Sequence, residues 1–359
     1  MCLTLMSVGF EPLLVGRLQK GSLPLGRPYP VKRFKHLPSK GALFYAALNV
    51  RLFLFLLREK TEVIHANDLD TLPAAFAASR IKGVHLVYDT HEYFLGVPEL
   101  QNRPWVRRVW AFWERLIFPR LKYVFTVNQG IAQLYERDYG LKPQVIRNVP
   151  MHIRERANTV QRLDLGIPED VPLLVIQGSG LNVDRGLEEA VQSLHHLPHA
   201  WLMLIGNGDA LPALKQLAAD EGLLPRILFL PKMAYPEMMA RTALADVGLS
   251  VDKDTNINYR FSLPNKIFDY MAAGVPVLAS PLPEVQQVIE HYGAGVIARE
   301  VSPEAIAEAA NVLIARGKSH FEPALRAASA DLVWEREAIP MEACYRRLGQ
   351  EYAAARSNK

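Results

Sequence analysis

The chain has 359 residues, half of them hydrophobic and 22% charged, with a formal net charge of +4. That length suits two domains, and the composition excludes a disordered, collagen-like or disulfide-stapled protein. Its two cysteines, Cys2 and Cys344, make neither a disulfide framework nor a metal cluster and fit a reducing compartment.

The small net charge conceals an asymmetry. Residues 1–165 carry 24 Lys/Arg against 13 Asp/Glu, and residues 166–359 carry 17 against 24. A basic half and an acidic half point to two domains with different partners. The opening, MCLTLMSVGFEPLLVGR, lacks the basic flank and cleavage site of a signal peptide. The most apolar helix, over 43–57, contains Asn49 and Arg51 and is too short and too polar to span a bilayer. The expected location is the cytoplasm.

In chain order, a short helical piece precedes a strand over 11–16, and 17–40 reads as a polar connection rich in Pro, Lys and Arg. A helix follows over 43–58, a strand from 62 to 65, and a helix over 70–80 with Pro73 in its first turn. The strand over 84–89 ends in Thr90-His91-Glu92. Helix 104–118, strand 123–127, helix 130–139 and strand 144–146 complete this half, and Arg147-Asn148-Val149-Pro150 is the expected hinge.

The pattern then restarts. An apolar strand over 173–177 leads to Gly178-Ser179-Gly180 and a helix over 185–196. The strand over 201–205 ends in Gly206-Asn207-Gly208-Asp209. Helix 211–221, strand 227–230, helix 235–243 and strand 247–251 follow. Strand 295–298, helix 303–316 and a last helix over 332–354 close the chain, and 356–359 are expected to be disordered.

Before that last strand lies FSLPNKIFDYMAAGVPVLAS, residues 261–280. Ser262 is expected to cap a helix that has Pro264 in its first turn. Ile267, Phe268, Met271 and Ala272 form its apolar stripe, Gly274 ends it, and 275–279 is a buried strand. The polar residues left over, Asn265, Lys266 and Asp269, occupy the first two turns. Free N–H groups and the helix dipole suit an anion there, and Lys266 adds a full charge.

Strand and helix alternating twice give an α/β protein of two doubly wound, Rossmann-like domains facing a cleft. In such sheets ligands bind beyond the carboxyl ends of the strands. The loops at His91, Gly178 to Gly180, Gly206 to Gly208 and 261–265 all lie at such ends.

The pair GSGLNVDRGLEEA and LPNKIFDYMAAGVPV, with a closing helix that begins Val333-Trp334-Glu335, resembles the family 4 (group 1) glycosyltransferases of the GT-B fold. HANDLDTLPAAF, VYDTHEYF and VIRNVP resemble a bacterial branch of that family. The likeness covers nearly the whole chain and is strongest over 173–289. It implies an acceptor-side domain over 1–150, completed by the C-terminal helix 332–355, and a donor domain over 151–331. It also implies a nucleotide-diphosphate sugar as donor, transfer with retention of configuration, and no metal or other cofactor. A cell-envelope saccharide or lipid-linked acceptor at the inner face of the cell membrane would then be the second substrate.

Residue by residue, the resemblance makes His91 and Glu92 the catalytic candidates. Gly178, Ser179, Gly180, Arg185, Gly206, Gly208, Leu263, Asn265, Lys266 and Asp269 are the donor-binding candidates. Arg185 stands where the family has a lysine on the diphosphate, and Asp269 where it has the carboxylate on the ribose. Two positions depart from the pattern: Ser179 replaces an arginine, and Phe261 replaces the carboxylate that contacts the donor sugar. The family also opens with a strand and loop that this sequence lacks: either the start is too late in the reading frame, the favoured reading, or the protein is defective. Two rival readings are a catalytically silent binding or scaffold protein of this fold and a sugar-nucleotide epimerase.

Bland readings stand beside these. The triplets Asp68–Asp70 and Asp252–Asp254 are too common to imply a metal, and Asp70 reads equally as a helix N-cap. Gly206 and Gly208 would let a backbone turn approach the donor, and Glu114 would make a structural contact. The basic stretches are RPYPVKRFKH and RPWVRRVWAFWERLIFPRLK. In the second, Trp105, Val109, Phe112 and Trp113 share a helix face that either packs into the core or lies on an anionic membrane. Nothing resembles a nucleic-acid recognition module, so nucleic acid is not an expected partner.

Overall fold

The computed structural model describes residues 1–19, 22, 25–35, 41–151 and 160–357. The chain forms two units, one of Met1–Arg147 with Glu337–Lys359 and the other of Asn148–Arg336. Within the first unit the two crossing points are tied together. Arg147 donates from Nε and Nη2 to the Glu337 carboxylate at 3.1 and 3.0 Å, a bidentate ion pair.

The first unit begins with α1 (Cys2–Ser7), β1 (Leu14–Arg17), β2 (Val31–Phe34), α2 (Ala42–Arg58), β3 (Val63–Asn67), α3 (Leu72–Lys82) and β4 (His85–Thr90). It continues through α4 (Pro98–Gln101), α5 (Pro104–Ile117), β5 (Tyr123–Thr126), α6 (Gln129–Tyr139) and β6 (Gln144–Val145). The strands are parallel but form two sheets, β1-β2 and β3-β4-β5-β6. β2 lies inside the stretch read as a polar connection. Lys32 and Arg33 hid it, yet Phe34 is buried and Arg51 stacks on its ring at 4.5 Å. His36, the end of the basic stretch there, lies outside the described residues.

The second unit holds β7 (Leu173–Gly178), α7 (Leu187–Gln192), β8 (Trp201–Gly206), α8 (Leu211–Asp220), β9 (Ile227–Leu230), α9 (Tyr235–Thr242) and β10 (Val247–Ser250). After these come α10 (Ile257–Arg260), α11 (Asn265–Ala272), β11 (Val277–Ala279), α12 (Pro283–Tyr292), β12 (Gly295–Ile297), α13 (Pro303–Arg316) and α14 (Lys318–Asp331). Six parallel strands run in the order β12-β11-β10-β7-β8-β9. Leu173 to Ile176 and Leu202 to Ile205 are buried on both sides, because helices cover both faces of the sheet.

Several expectations change. α12 and α14 were not anticipated, and α14 carries Pro323 in its interior, a residue that argues against a helix. The closing helix is broken into α15 (Trp334–Glu337) and α16 (Ile339–Ser357). α16 runs into the tail expected to be disordered, whose last two residues lie outside the described ones. Ser262 does not cap α11. The chain stays extended through Pro264, itself the N-cap, so the serine is out of reach and its Oγ is buried without a hydrogen bond. Asp70 is not a cap either: α3 starts after Thr71, and no side chain caps it.

The aromatic helix α5 faces the opposite way from a core helix. Trp110, Glu114 and Ile117 point inward, while Trp105, Val109 and Phe112 are 75, 56 and 60% exposed. Among the described residues no helix is long and apolar enough to cross a membrane. Cys2 and Cys344 are both free thiols.

Glu114 has the structural role expected of it. Its carboxylate accepts from Tyr139 Oη at 2.6 Å and Tyr135 Oη at 3.3 Å, beneath the stacked rings of Tyr135 and Phe118. Burial pushes its pKa up to about 7, against the pull of the two hydroxyls. The folded state therefore binds this proton more tightly than the unfolded chain. Its stabilising effect is complete below about pH 4.5 and is lost as pH rises through about 7. Glu114→Gln removes that dependence. In thermal melts of the N-terminal unit the variant should gain on the parent between pH 5 and 8, by at most about 3 kcal/mol. A difference that stays constant with pH would contradict the assignment.

Candidate functional site

In the second unit the site grows from a gap in the sheet. β10 and β7 pair only at Val247 with Leu174 and Gly248 with Val175, and then part. Tyr270, on α11, fills the opening: its hydroxyl donates to the Leu249 carbonyl at 3.1 Å and accepts from Gln177 N at 3.2 Å. Gly248 makes room for the ring, since a Cβ there would lie 2.4 Å from it. The strand order reverses between β10 and β7, which is where open α/β sheets take their ligands.

The glycine loops at this end pack on each other. Gly178 and Gly206 sit side by side in register, and a Cβ on Gly206 would strike the Gly178 carbonyl at 1.8 Å. One on Gly208 would meet the Leu181 carbonyl at 1.9 Å. The space left by these two missing side chains is thus filled by protein backbone. A Cβ on Gly180 would meet Asn182 Nδ2 at 3.3 Å, a tight contact with the far end of a side chain, and Ser179 is exposed between the glycines.

Arg185 lies between two left-handed residues, Asp184 and Gly186, both at φ 67°. A Cβ at Gly186 would sit 2.1 Å from the Val251 carbonyl, so this turn is pressed onto the end of β10. Lys253 N bonds the Asp184 carbonyl at 3.0 Å. The guanidinium stacks over Tyr259 at 4.6 Å, and its Nη1 is 3.2 Å from Asp252 Oδ2. Lys266, in the first turn of α11, places Nζ 3.4 Å from Asp252 Oδ1. Asp252 is only 1% exposed. Two cations thus share one buried carboxylate, with one positive charge in excess. Burial lowers the Lys266 pKa, and the Asp252 charge works against that shift.

Asp269 is one turn further along α11, but its carboxylate is occupied. Gln177 Nε2 donates to Oδ2 at 3.0 Å and Tyr235 Oη to Oδ1 at 2.7 Å, and Thr242 in turn bonds Gln177 Oε1. Burial raises its pKa to about 6 despite these two bonds. Asn265 is exposed at the helix start, Leu263 packs on the unit's hydrophobic core, and Phe261 ends α10.

The first unit carries the other candidates. His91 follows β4 and is half-exposed. Its N–H donates to Asp68 Oδ1 at 3.0 Å, Nδ1 lies 3.4 Å from Asp68 Oδ2, and Nε2 lies 3.8 Å from Asp89 Oδ2. Asp68 holds this position from a left-handed conformation, φ 55°, at the end of β3. Asp89 is buried between two histidines, with His65 Nε2 at 3.6 Å, and Tyr345 Oη bonds His65 Nδ1 at 2.6 Å. Burial pushes Asp89 up, but His65 and His91 outweigh it and hold the carboxyl below its usual range. The hydrogen bond to Asp68, helped by the charge of Asp89, raises His91 to about 9. His91 is therefore a cation at neutral pH. Glu92 is anchored by its backbone carbonyl, which accepts from Thr90 Oγ1 at 2.7 Å.

The aspartate triplets diverge. Asp70 is half-buried and its pKa rises to about 6, whereas Asp254 turns out to Arg260 at 3.8 Å. Among the described residues no three His, Cys, Asp or Glu side chains are grouped to hold a metal ion. Sequence reasoning missed Asp252, Gln177, Tyr235, Tyr259, Asp89 and Asp68 as parts of the site. Asp252 stood in a triplet considered only for metals, and Asp68 and Asp89 flank His91 at strand ends.

Both halves of the chain have known relatives. Residues 13–152 match the glycosyl transferase 4-like domain, and residues 179–316 match the glycosyl transferases group 1. The chain belongs to the family 4, group 1 glycosyltransferases. Curated protein sequences give no match. Solved structures agree on the two-domain GT-B fold. Sucrose-phosphate synthase from Thermosynechococcus elongatus superposes with a TM-score of 0.78 at 17% identity, over 97% of this chain and 91% of that one. HepE from Anabaena, in complex with UDP-glucose, gives 0.67 at 19% identity, over 92% and 86%. WaaG, a glycosyltransferase involved in lipopolysaccharide biosynthesis, gives 0.63 at 16%, over 95% and 92%.

The charge state of His91 is directly measurable. Its ring protons should titrate near pH 9 by NMR, and Asp68→Asn should bring the midpoint down toward 6.5. The ion pairs it makes stabilise the fold fully below about pH 6.5 and fade as pH rises through 9. A midpoint below 7 in the parent protein would refute the imidazolium.

Proposed function

We propose that this glycosyltransferase moves a hexose-type unit from a nucleotide-diphosphate sugar to a cell-envelope saccharide or lipid-linked acceptor, with retention of configuration and without a metal. The observation that carries the donor class is the pair of cations, Arg185 and Lys266, converging on Asp252 beyond the strand-order reversal. Departure of a nucleoside diphosphate builds negative charge, and fixed cations with the start of α11 stabilise it without reorganisation. The bond from the anomeric carbon to the diphosphate oxygen breaks, and the acceptor oxygen forms a bond on the same face. The hydroxyl proton leaves with the phosphate. His91, already protonated, orients reacting groups by donating hydrogen bonds; it is not the base. HepE is bound to UDP-glucose in its structure, and WaaG serves lipopolysaccharide biosynthesis, which supports both substrate classes.

The outward face of α5 supports a membrane-borne acceptor. Trp105, Val109, Phe112 and Leu116 recur at helical spacing on its exposed side, and Arg108 stacks on Trp105 at 4.9 Å. Such a face lies in the headgroup region of an anionic bilayer, where each Arg contributes roughly 1 kcal/mol. One observation favours a binding protein without turnover instead: both oxygens of Asp269 are filled from within the protein.

Incubation with a panel of nucleotide sugars and lipid-linked acceptors, followed by product mass and anomer analysis, distinguishes these readings. Transfer with retention supports the proposal; donor binding without product supports the silent alternative. Arg185→Ala and Lys266→Ala should each weaken UDP binding by about tenfold or more, about 1.4 kcal/mol. Unchanged affinity would remove the donor site from this position. Trp105→Ser with Phe112→Ser should abolish co-sedimentation with phosphatidylglycerol vesicles. Equal sedimentation of variant and parent would dismiss the membrane face.

A further inference from the structure

We propose that Asp252 is a positioning residue of the donor site, the buried anchor that makes Arg185 and Lys266 converge on one anion. The inference rests on the donor reading above and goes beyond it, because a carboxylate next to a diphosphate site is at first sight a defect. It repels the ligand and occupies both cations. Three observations explain its presence. First, each of its oxygens serves a different cation, Oδ2 to Arg185 and Oδ1 to Lys266, from a side chain with almost no exposure. Second, the loop that bears it is stitched to the turn that bears Arg185. Lys253 N bonds the Asp184 carbonyl, Lys253 Nζ meets Glu189 at 2.6 Å, and Gly186 touches the Val251 carbonyl. Arg185 leaves a turn whose flanking residues are both left-handed, a backbone that these contacts hold in place.

Third, Lys266 is buried, and burial favours its neutral form. The charged groups acting on it are Asp252, which favours the ammonium, and Arg185, which opposes it. Removing the carboxylate leaves Lys266 facing Arg185 alone. The buried anion therefore favours the ammonium against burial and gives the lysine and the guanidinium one point to face.

Calorimetric titration of UDP and of inorganic pyrophosphate into the parent protein and Asp252→Asn, from pH 6.5 to 9, tests the role. Asp252→Asn should weaken both ligands by about tenfold or more at pH 7 and lose further affinity toward pH 9 as Lys266 discharges. The parent profile should be flatter. Equal or tighter binding by Asp252→Asn at every pH would overturn the proposal, since Asp252 would then merely oppose the anion. If that variant does not fold, Asp252→Glu replaces it: the charge stays but moves by one methylene. It should lose affinity without gaining a pH slope, and parent-like affinity would overturn the proposal. Arg185→Ala and Lys266→Ala separate the two failures. If they too bind like the parent, the donor site itself is misplaced; if they weaken binding while Asp252→Asn does not, only the anchoring role falls.

Discussion

The second unit depends on one interruption in its sheet. Two parallel strands, β7 and β10, pair for two residues and then diverge, and the backbone groups so exposed must find partners. Tyr270 supplies them from α11 and thereby fixes the helix against the sheet. Gly248 admits its ring, and the helix start, Lys266 and Asp269 take their places from that single contact. This end of the domain is organised by one buried hydroxyl.

Both units place one buried carboxylate beneath two basic groups. Asp89 lies under His65 and His91, and Asp252 under Arg185 and Lys266. In each case the anion favours the charged form of its neighbour: Asp89 adds to the larger effect of Asp68 on His91, and Asp252 works against the burial of Lys266. Buried charge is expensive unless paired, so these clusters are costly in stability and useful in fixing direction and charge. The cost is spread further by the left-handed Asp68 and Asp184, each next to a candidate site residue.

The alternation of strand and helix was readable because the parallel strands are apolar runs bounded by glycine turns. β2 was not, since Lys32 and Arg33 interrupt its apolar residues, and α14 was not, since Pro323 contradicts a helix that packing by Phe321 and Leu325 sustains. The site was legible where local chemistry marks it: a lysine at a helix start, glycines at strand ends, a histidine after a strand. It was illegible where distance in sequence intervenes. Nothing in the residues around Asp252 announces that Arg185 arrives beside it, nor around Asp269 that Gln177 and Tyr235 will fill its oxygens. The glycines at 206 and 208 show the same limit, because a sequence shows that room is needed and not what takes it.

The Arg147–Glu337 fork has a consequence for how the chain is made. The second unit is one uninterrupted segment, whereas the first needs pieces from both ends. Domains tend to fold as they leave the ribosome. Here the N-terminal piece emerges first but cannot be completed until α16 has been synthesised, after the whole of the other unit. The nascent N-terminal half therefore waits, with His65 and Tyr123 still lacking their α16 partners Tyr345 and Glu351, while the later unit folds ahead of it. The fork closes only when Glu337 appears, which makes it a late event in biogenesis and marks this half as the one that would call on chaperones.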